Sequence, residues 1–243
     1  MENNNKALLW LNTKFILGLA IIISTVIGVY AYYQIKSFDN TLTVTGSTTK
    51  LVTSDHVKWS GSFSRIVKAS TLKEGYADMA KDLVAVKNFL KSKNIPDNQI
   101  DISPVFMNEN YDNNQNVEKA YTLSQNVEIE SSDVNSITDV AKNINPLIEQ
   151  GVIFSTNSLE YTYTKLPDDR VAMLPLAIQD AKKRAGSLAE ASGKSVGQLK
   201  SAASGVVQVM SANSTDVSDY GSYDTSKIDK NIMMTVKATF TLK

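Results

Sequence analysis

An unbroken apolar run opens the chain. Phe15 to Tyr33, FILGLAIIISTVIGVYAYY, is nineteen residues without a charge. As a helix it spans roughly 28 Å, close to the thickness of a bilayer's hydrocarbon core. Lys14 and Lys36 bracket it, with Trp10 before it and Tyr30, Tyr32 and Tyr33 at its far end, the aromatic belt of an interface. No polar face interrupts the run, which argues against a buried core helix. Two readings remain: an uncleaved signal anchor, or a signal peptide cut after Ala31, with Val29 and Ala31 at the −3 and −1 places. The run exceeds the roughly 7–15 apolar residues usual in a signal peptide, which favours the anchor. Lys6, Lys14 and the free amine precede it against Glu2, and Lys36 and Asp39 follow it, so the charge bias favours N-in, C-out.

After the run the pattern changes period. Thr41–Gly46 reads as a short strand ended by glycine. In His56–Lys68, Val57, Trp59, Phe63 and Val67 share one face, and the other is mostly polar: a half-buried strand. Thr71 and Glu74 fit a capping box opening a helix whose stripe is Leu72, Tyr76, Met79, Leu83, Val86 and Leu90; Asn94-Ile95-Pro96-Asp97 stops it. Ile100–Met107 is predicted as an edge strand containing Pro104. Asn108–Lys119 is a polar tip, and Tyr121, Leu123, Val127 and Ile129 alternate along the next strand. Ser132 or Asp133 caps a second helix with the stripe Val134, Ile137, Val140, Ala141, Ile144, Leu147 and Ile148, ended by Gly151.

Val152–Thr164 is then a strand with Leu159, Tyr161 and Tyr163 on one face. A third helix follows Pro167, kinked or started by Pro175, with the stripe Val171, Leu174, Ile178, Ala181, Ala185 and Leu188 and an end at Gly193. Ala177, Ala181, Ala185 and Ala189 form a small-residue row, either a helix–sheet seam or a contact between subunits; the first is favoured. Gly205–Met210 is a strand, Ser211–Lys230 a long polar loop, and Ile232 to Leu242 alternates without a break. The prediction is an α+β fold of order ββαββαβαββ, with antiparallel sheet or sheets and three main helices packed on one face. Residues 1–40 would be a short cytoplasmic tail and signal-anchor helix (span about 15–33), and 41–243 the periplasmic domain.

Composition narrows the chemistry. Residues 1–40 hold three cations and two anions of the 25 of each in the chain, leaving 22 against 23, so the domain has no charge drawing it to anionic lipid. Only three cations are Arg (Arg65, Arg170, Arg184), which argues against a nucleic-acid partner. With no Cys, disulfides, thiolate nucleophiles and iron–sulfur clusters are excluded; with His56 alone, so is a two-His metal site.

The order of elements and the third helix together resemble the SIMPL-domain family. The clearest piece runs from Ala177 to Lys194: Ala177, Ala181, Arg184, Ala185, Leu188, Ala189 and Gly193 stand at the places of the family's alanine-rich helix. Gly46 resembles the glycine of the family's opening strand. Where the family often has Pro-Asp before the second strand, this chain has Ser54-Asp55. The resemblance covers Thr41–Lys243. It implies a periplasm-facing α+β domain with no established catalytic residues; some members are associated with oxidative-stress tolerance and some are surface or periplasmic antigens.

No site survives inspection as catalytic, cofactor-binding or metal-binding. His56 reads as a solvated histidine. Gly193-Lys194-Ser195 imitates the tail of a P-loop but lacks the first glycine, since Leu188 stands there, and follows a helix instead of preceding one. Asp112, Asn114 and Asn116 imitate a calcium loop, but Val117 and Leu123 replace its glycine and its last ligand. Asp216, Asp219, Asp224 and Asp229 read as solvated acids, and Asn213-Ser214-Thr215 is a glycosylation sequon by pattern alone. Glu128, Glu130 and Glu160 are expected as cross-strand partners of lysines or an acid pair. The expectation is therefore a non-enzymatic, membrane-anchored structural or interaction protein in the inner membrane. It would self-associate as a homo-oligomer, with an envelope protein as a candidate partner and a link to envelope or oxidative stress. The alternatives are a cleaved periplasmic form, and a binding module using Asn108–Lys119 and Ser211–Lys230, where Tyr111, Tyr220 and Tyr223 are suitable contacts.

Overall fold

The alternation of Val57, Trp59 and Phe63 builds the centre of one sheet. In the computed structural model, which describes residues 2–37, 40–111, 118–214 and 218–243 (backbone alone for 2–14 and 37), these three side chains lie on β2 (His56–Lys68) and are fully buried. The chain is α+β, with two sheets and an N-terminal apolar helix, α1 (Glu2–Ser37). It divides into two compact units. One holds the residues up to Thr48, Leu174–Gly205 and Thr235–Lys243; the other holds Thr49–Met173 and Val206–Met234.

In the larger unit the strand order is β3 (Ile100–Ile102), β5 (Ala120–Ser131), β2, β6 (Phe154–Thr162), with β4 (Phe106–Asn110) also on β5. All these pairs are antiparallel; Trp59 stands opposite Ile129 and Leu159, and Gly61 opposite Val127. The β2–β6 register shifts at Ser60/Gly61, where a Cβ on Gly61 would stand 2.4 Å from the Phe154 ring. The glycine leaves that ring room beside Trp59, 5.9 Å between centroids and tilted. The helices α2 (Leu72–Ser92), α3 (Val134–Lys142) and α4 (Asn145–Glu149) pack on the apolar face through Met79, Val86, Leu90, Ile137 and Leu147. The opposite face carries Lys58, Glu128 and Glu130.

The second sheet has the order β1 (Thr41–Thr53), β9 (Asp229–Leu242), β7 (Val196–Ser211), β8 (Ser222–Tyr223). Alternation along β9 buries Ile232, Met234, Val236, Ala238 and Phe240, as its pattern predicts. In the smaller unit α5 (Leu166–Ala191, from Leu174 onward) lays Ala177, Ala181 and Ala185 against Val44, Val236, Ala238 and Phe240. The alanine row is thus a helix–sheet seam within the unit.

Several expectations need correction. Gly46 does not end β1: the strand runs through it to Thr53, and the missing side chain is what lets α5 approach. Thr71 makes no side-chain cap; its Oγ1 donates back to the Lys68 carbonyl in a preceding 3₁₀ turn. The buried face of α2 is Gly75, Met79, Asp82, Val86, Phe89 and Leu90, rotated so that Tyr76 is exposed. Ser103-Pro104-Val105 splits the predicted edge strand into β3 and β4, because Pro104 has no N–H for the ladder. Pro146 likewise divides the second helix into α3 and α4, and Ile148 is exposed. Val171 and Leu188 of α5 are exposed, since the alanines take the buried side, and α5 runs on through Pro175. β7 begins nine residues earlier than predicted, at Val196, and β8 runs parallel to it. Asp133, Gly151 and Gly193 act as expected: the Asp133 side chain accepts from the Ser136 amide, and both glycines have positive φ (81° and 70°).

Candidate functional site

Four polar arrangements and one exposed stretch of strand stand out, each placed by a strand or helix already described. The first is a buried ion pair. Asp82 sits on the apolar side of α2, three residues after Met79 and four before Val86. Its two carboxylate oxygens accept from Nε and Nη2 of Arg65 on β2, at 2.5 and 2.7 Å. The fork geometry satisfies a carboxylate that helix packing has removed from water, and it holds Arg65 above its ordinary pKa.

The second lies on the open face of the larger sheet. Lys58 reaches Glu128 at 2.8 Å and Glu130 at 3.7 Å, and His56 lies 3.9 Å from Glu130. The side-chain bond to Glu128 raises the Lys58 pKa. Glu128 and Glu130 are therefore partners of a lysine across strands, as the alternation suggested.

The third ties the ends of β1, β6 and α5 within the larger unit. Asp169, in the first turn of α5, accepts from Lys50 at 2.6 Å and from the Tyr163 hydroxyl at 2.9 Å. The Lys50 ammonium holds the Asp169 carboxyl below the usual range against the cost of its burial. Burial and the bond to Asp169 push the Tyr163 phenol up to about 12, so it keeps its proton at neutral pH. Beside it Asp55 accepts from both the Thr164 amide (2.8 Å) and hydroxyl (2.9 Å). Burial raises the Asp55 carboxyl, and the Thr164 bonds outweigh it, for a net lowering. Asp55 is the half of the Pro-Asp pair that this chain retains, and its work is to fasten the chain after β6.

The fourth is the segment expected as a loose polar loop, Ser211–Lys230. Its described residues are held in place. Buried Gln208 binds the Ser218 carbonyl and accepts from the Ser222 hydroxyl at 2.8 Å. Lys230 is wholly buried: its ammonium donates to the carbonyls of Asp224 and Lys227 (2.8 Å for the latter) and lies 5.6 Å from the Tyr223 ring centroid. Desolvation lowers its pKa. Tyr223 is thus part of the fold, its hydroxyl also accepting from the Tyr163 amide, whereas Tyr111 and Tyr220 are 93% and 97% exposed. A cleft of about 630 Å³ adjoins this segment, lined among others by Lys142, Tyr161, Ser211, Asn213, Lys227 and Ile228.

The exposed stretch belongs to β7: from Gln198 to Val206 nine consecutive residues are exposed. β7 lies between β9 and β8 in its sheet, and β8 pairs with it at Gln208 and Val209. Near the chain's start, Phe15–Lys36 of α1 is apolar with a mean hydropathy of 2.2 and is not buried within the molecule.

The structure does not bring the remaining sequence candidates together. The Asp224 carboxylate accepts from the Ser226 amide and that of Asp229 from the Thr53 hydroxyl, two separate attachments. Asp112, Asn114, Asn116, Val117, Thr215 and Asp216 lie outside the described residues. Among the described residues no group of three His, Asp or Glu is arranged to hold a metal. Sequence reasoning missed Asp82, Asp169, Gln208 and Lys230. Only Asp82 carried a signal, a charged residue at a stripe position.

The profile of the SIMPL family, a protein of unknown function (DUF541), matches residues 42–240. The match spans both units and most of the chain: this is a SIMPL-domain protein. None of the curated proteins compared with it is a match.

Proposed function

We propose that the chain is a membrane-anchored, periplasm-facing interaction protein that assembles with copies of itself and carries out no chemical step of its own. The observation that carries this reading is the run of nine exposed residues on β7, Gln198–Val206, in a domain that follows an apolar helix after three residues. A long exposed strand is a surface on which another chain can pack. α1 has the length and composition to span a bilayer, and the charge bias around it supports an N-in orientation with the domain outside the cytoplasm. The polar clusters support a scaffold: Arg65–Asp82, Asp169–Tyr163–Lys50 and Lys230 each spend their polar atoms fastening one element to another. A role in envelope or oxidative-stress tolerance follows from the family resemblance, and a deletion strain with unchanged peroxide sensitivity would count against it.

The test is fractionation combined with mass. The reading expects the full chain to stay in the membrane pellet after alkaline carbonate, and to run above monomer mass in mild detergent. Release by carbonate would remove the anchor, and a monomer at all concentrations would remove the assembly. A second reading, a module that captures a ligand beside Ser211–Lys230, is favoured by the cleft and by exposed Tyr220. It expects a monomer whose 211–230 segment gains protease resistance when envelope extract is added.

A further inference from the structure

We infer that the cleft beside Ser226–Asp229 binds a small monocarboxylate, whose anionic group is met by the ammonium groups of Lys142 and Lys227. The inference rests on the second reading above, capture of a ligand beside Ser211–Lys230, and does not depend on self-association. The cleft measures about 630 Å³, and every residue that lines it belongs to the larger unit. That volume lies within the range of about 300–1,000 Å³ usual for small-molecule sites.

The walls of the cleft are pinned by the fold. Tyr161 of β6 is buried, its hydroxyl bonded to Thr138 Oγ1 of α3 at 3.0 Å and its amide donating to the Thr225 carbonyl at 2.7 Å. The Ile228 carbonyl accepts from the Ser54 amide at 2.9 Å, and the Asp229 carboxylate accepts from the Thr53 hydroxyl at 3.0 Å. The Lys227 carbonyl accepts from buried Lys230 at 2.8 Å, which fixes the backbone from which the Lys227 side chain leaves. Lys142 is the last residue of α3, whose start is capped by Asp133. A site held in this way has little left to order when a ligand binds.

The charges select the ligand. Two cations, Lys142 and Lys227, and one anion, Asp229, line the cleft. Both lysines are exposed, and neither ammonium makes an ion pair or hydrogen bond among the described residues, whereas Lys50, Lys58, Lys81 and Lys119 each meet a carboxylate. Lys227 does help to hold the Asp224 carboxyl down, behind the Ser226 amide and Lys230. One positive charge in excess suits one carboxylate; a doubly charged phosphate would bring a second negative charge towards Asp229. Asn213 supplies a hydrogen-bonding amide, and Ile228 an apolar surface for the body of the ligand. Lys142 also stands in the last turn of α3, where a cation suits the helix dipole. A role confined to the helix would leave ligand affinity unchanged when the lysine is replaced.

The experiment titrates the full chain in mild detergent, by calorimetry, with N-acetyl-leucine, its uncharged amide, leucine amide (a cation) and inorganic phosphate. N-acetyl-leucine is expected to bind saturably, at least about ten-fold more tightly than its uncharged amide, as the loss of a charge-assisted contact dictates. Lys142→Gln and Lys227→Gln each weaken it several-fold, Lys227→Arg retains it, and Lys87→Gln, an exposed position on α2, leaves it unchanged. Proteolysis of the 211–230 segment is followed in parallel, with N-acetyl-leucine and with envelope extract. Tighter binding of the amide, of leucine amide or of phosphate overturns the inference, as does carboxylate binding that neither lysine variant weakens. No binding of any probe also overturns it. In each of these cases protection of 211–230 by envelope extract leaves the ligand-capture reading standing, and no protection overturns that reading as well.

Discussion

Gly46 of β1 meets the backbone of α5 so closely that a Cβ on it would lie 2.2 Å from the Ala177 carbonyl oxygen and 2.3 Å from the Ala181 amide nitrogen. Neither atom can turn aside as a side chain would. Gly46→Ala is therefore expected to force the strand and helix apart and cost about 1–3 kcal/mol. Gly186, in the same helix, has nothing within 4 Å of the corresponding point and no positive φ. Gly186→Ala is expected to stabilise by about 0.5–1 kcal/mol through helix propensity. Denaturant midpoints of the two variants in one detergent should move in opposite directions; a shared direction would mean that the seam is looser than described.

The Arg65–Asp82 fork should behave as a unit. Asp82→Ala leaves the guanidinium without its acceptor on the apolar side of α2 and is expected to cost about 1.5–3 kcal/mol. Arg65→Lys keeps the charge but supplies a point donor for a two-pronged acceptor, so its cost should fall between wild type and Asp82→Ala. A double-mutant cycle checks this: a coupling energy near zero would show that the two side chains do not depend on one another.

How much of this was legible in the sequence varies with the physics. The span from Phe15, the alternations of β2, β5 and β9, the helix start at Asp133 and the stop signals at Gly151 and Gly193 were all readable, because each depends on local pattern or local backbone geometry. The alanine row was visible as a row. Its priority over Val171 and Leu188 was not, since that depends on how near a sheet can come, which Gly46 decides from 135 residues away. The first half of β7 was not readable, because Ser201-Ala202-Ala203-Ser204 has no apolar alternation when neither face is buried. Lys230 looked like a loop cation, and nothing in its neighbours announces the carbonyls of Asp224 and Lys227 that enclose it.

Lys230 should set the order of the segment before β9. Lys230→Ala removes the ammonium's two hydrogen bonds and leaves a void where a long side chain was fully buried, at an expected cost of about 2–4 kcal/mol. Faster amide exchange at 224–229 should accompany it. The pH sign is distinctive: burial lowers the Lys230 pKa from its unfolded value near 10.4, so the charged amine is disfavoured in the fold below that value. The difference in stability between wild type and Lys230→Met should change in favour of wild type as pH rises towards 10. A difference that is flat over that range would mean that the ammonium is fully compensated where it lies.

Acid should act through the carboxylates. Asp169, held down by Lys50, and Asp180, held down first by the Ser47 amide and then by Arg184, both have lowered pKa values. Groups of this sign contribute stability that is complete above the unfolded pKa, near 3.9, and lost as pH falls through the folded values. Thermal midpoints should be level from about pH 7 to 5 and fall steeply below about 4. Asp169→Asn should show a shallower acid fall; an equal one would assign the loss to other groups.

The central claim, a membrane-anchored domain that assembles with itself, is tested most directly by the mass of the full chain in mild detergent over a concentration series, by light scattering on a sizing column with the detergent contribution removed. The account predicts a discrete multiple of 26.6 kDa that persists on dilution. A single 26.6 kDa species at every concentration would contradict it.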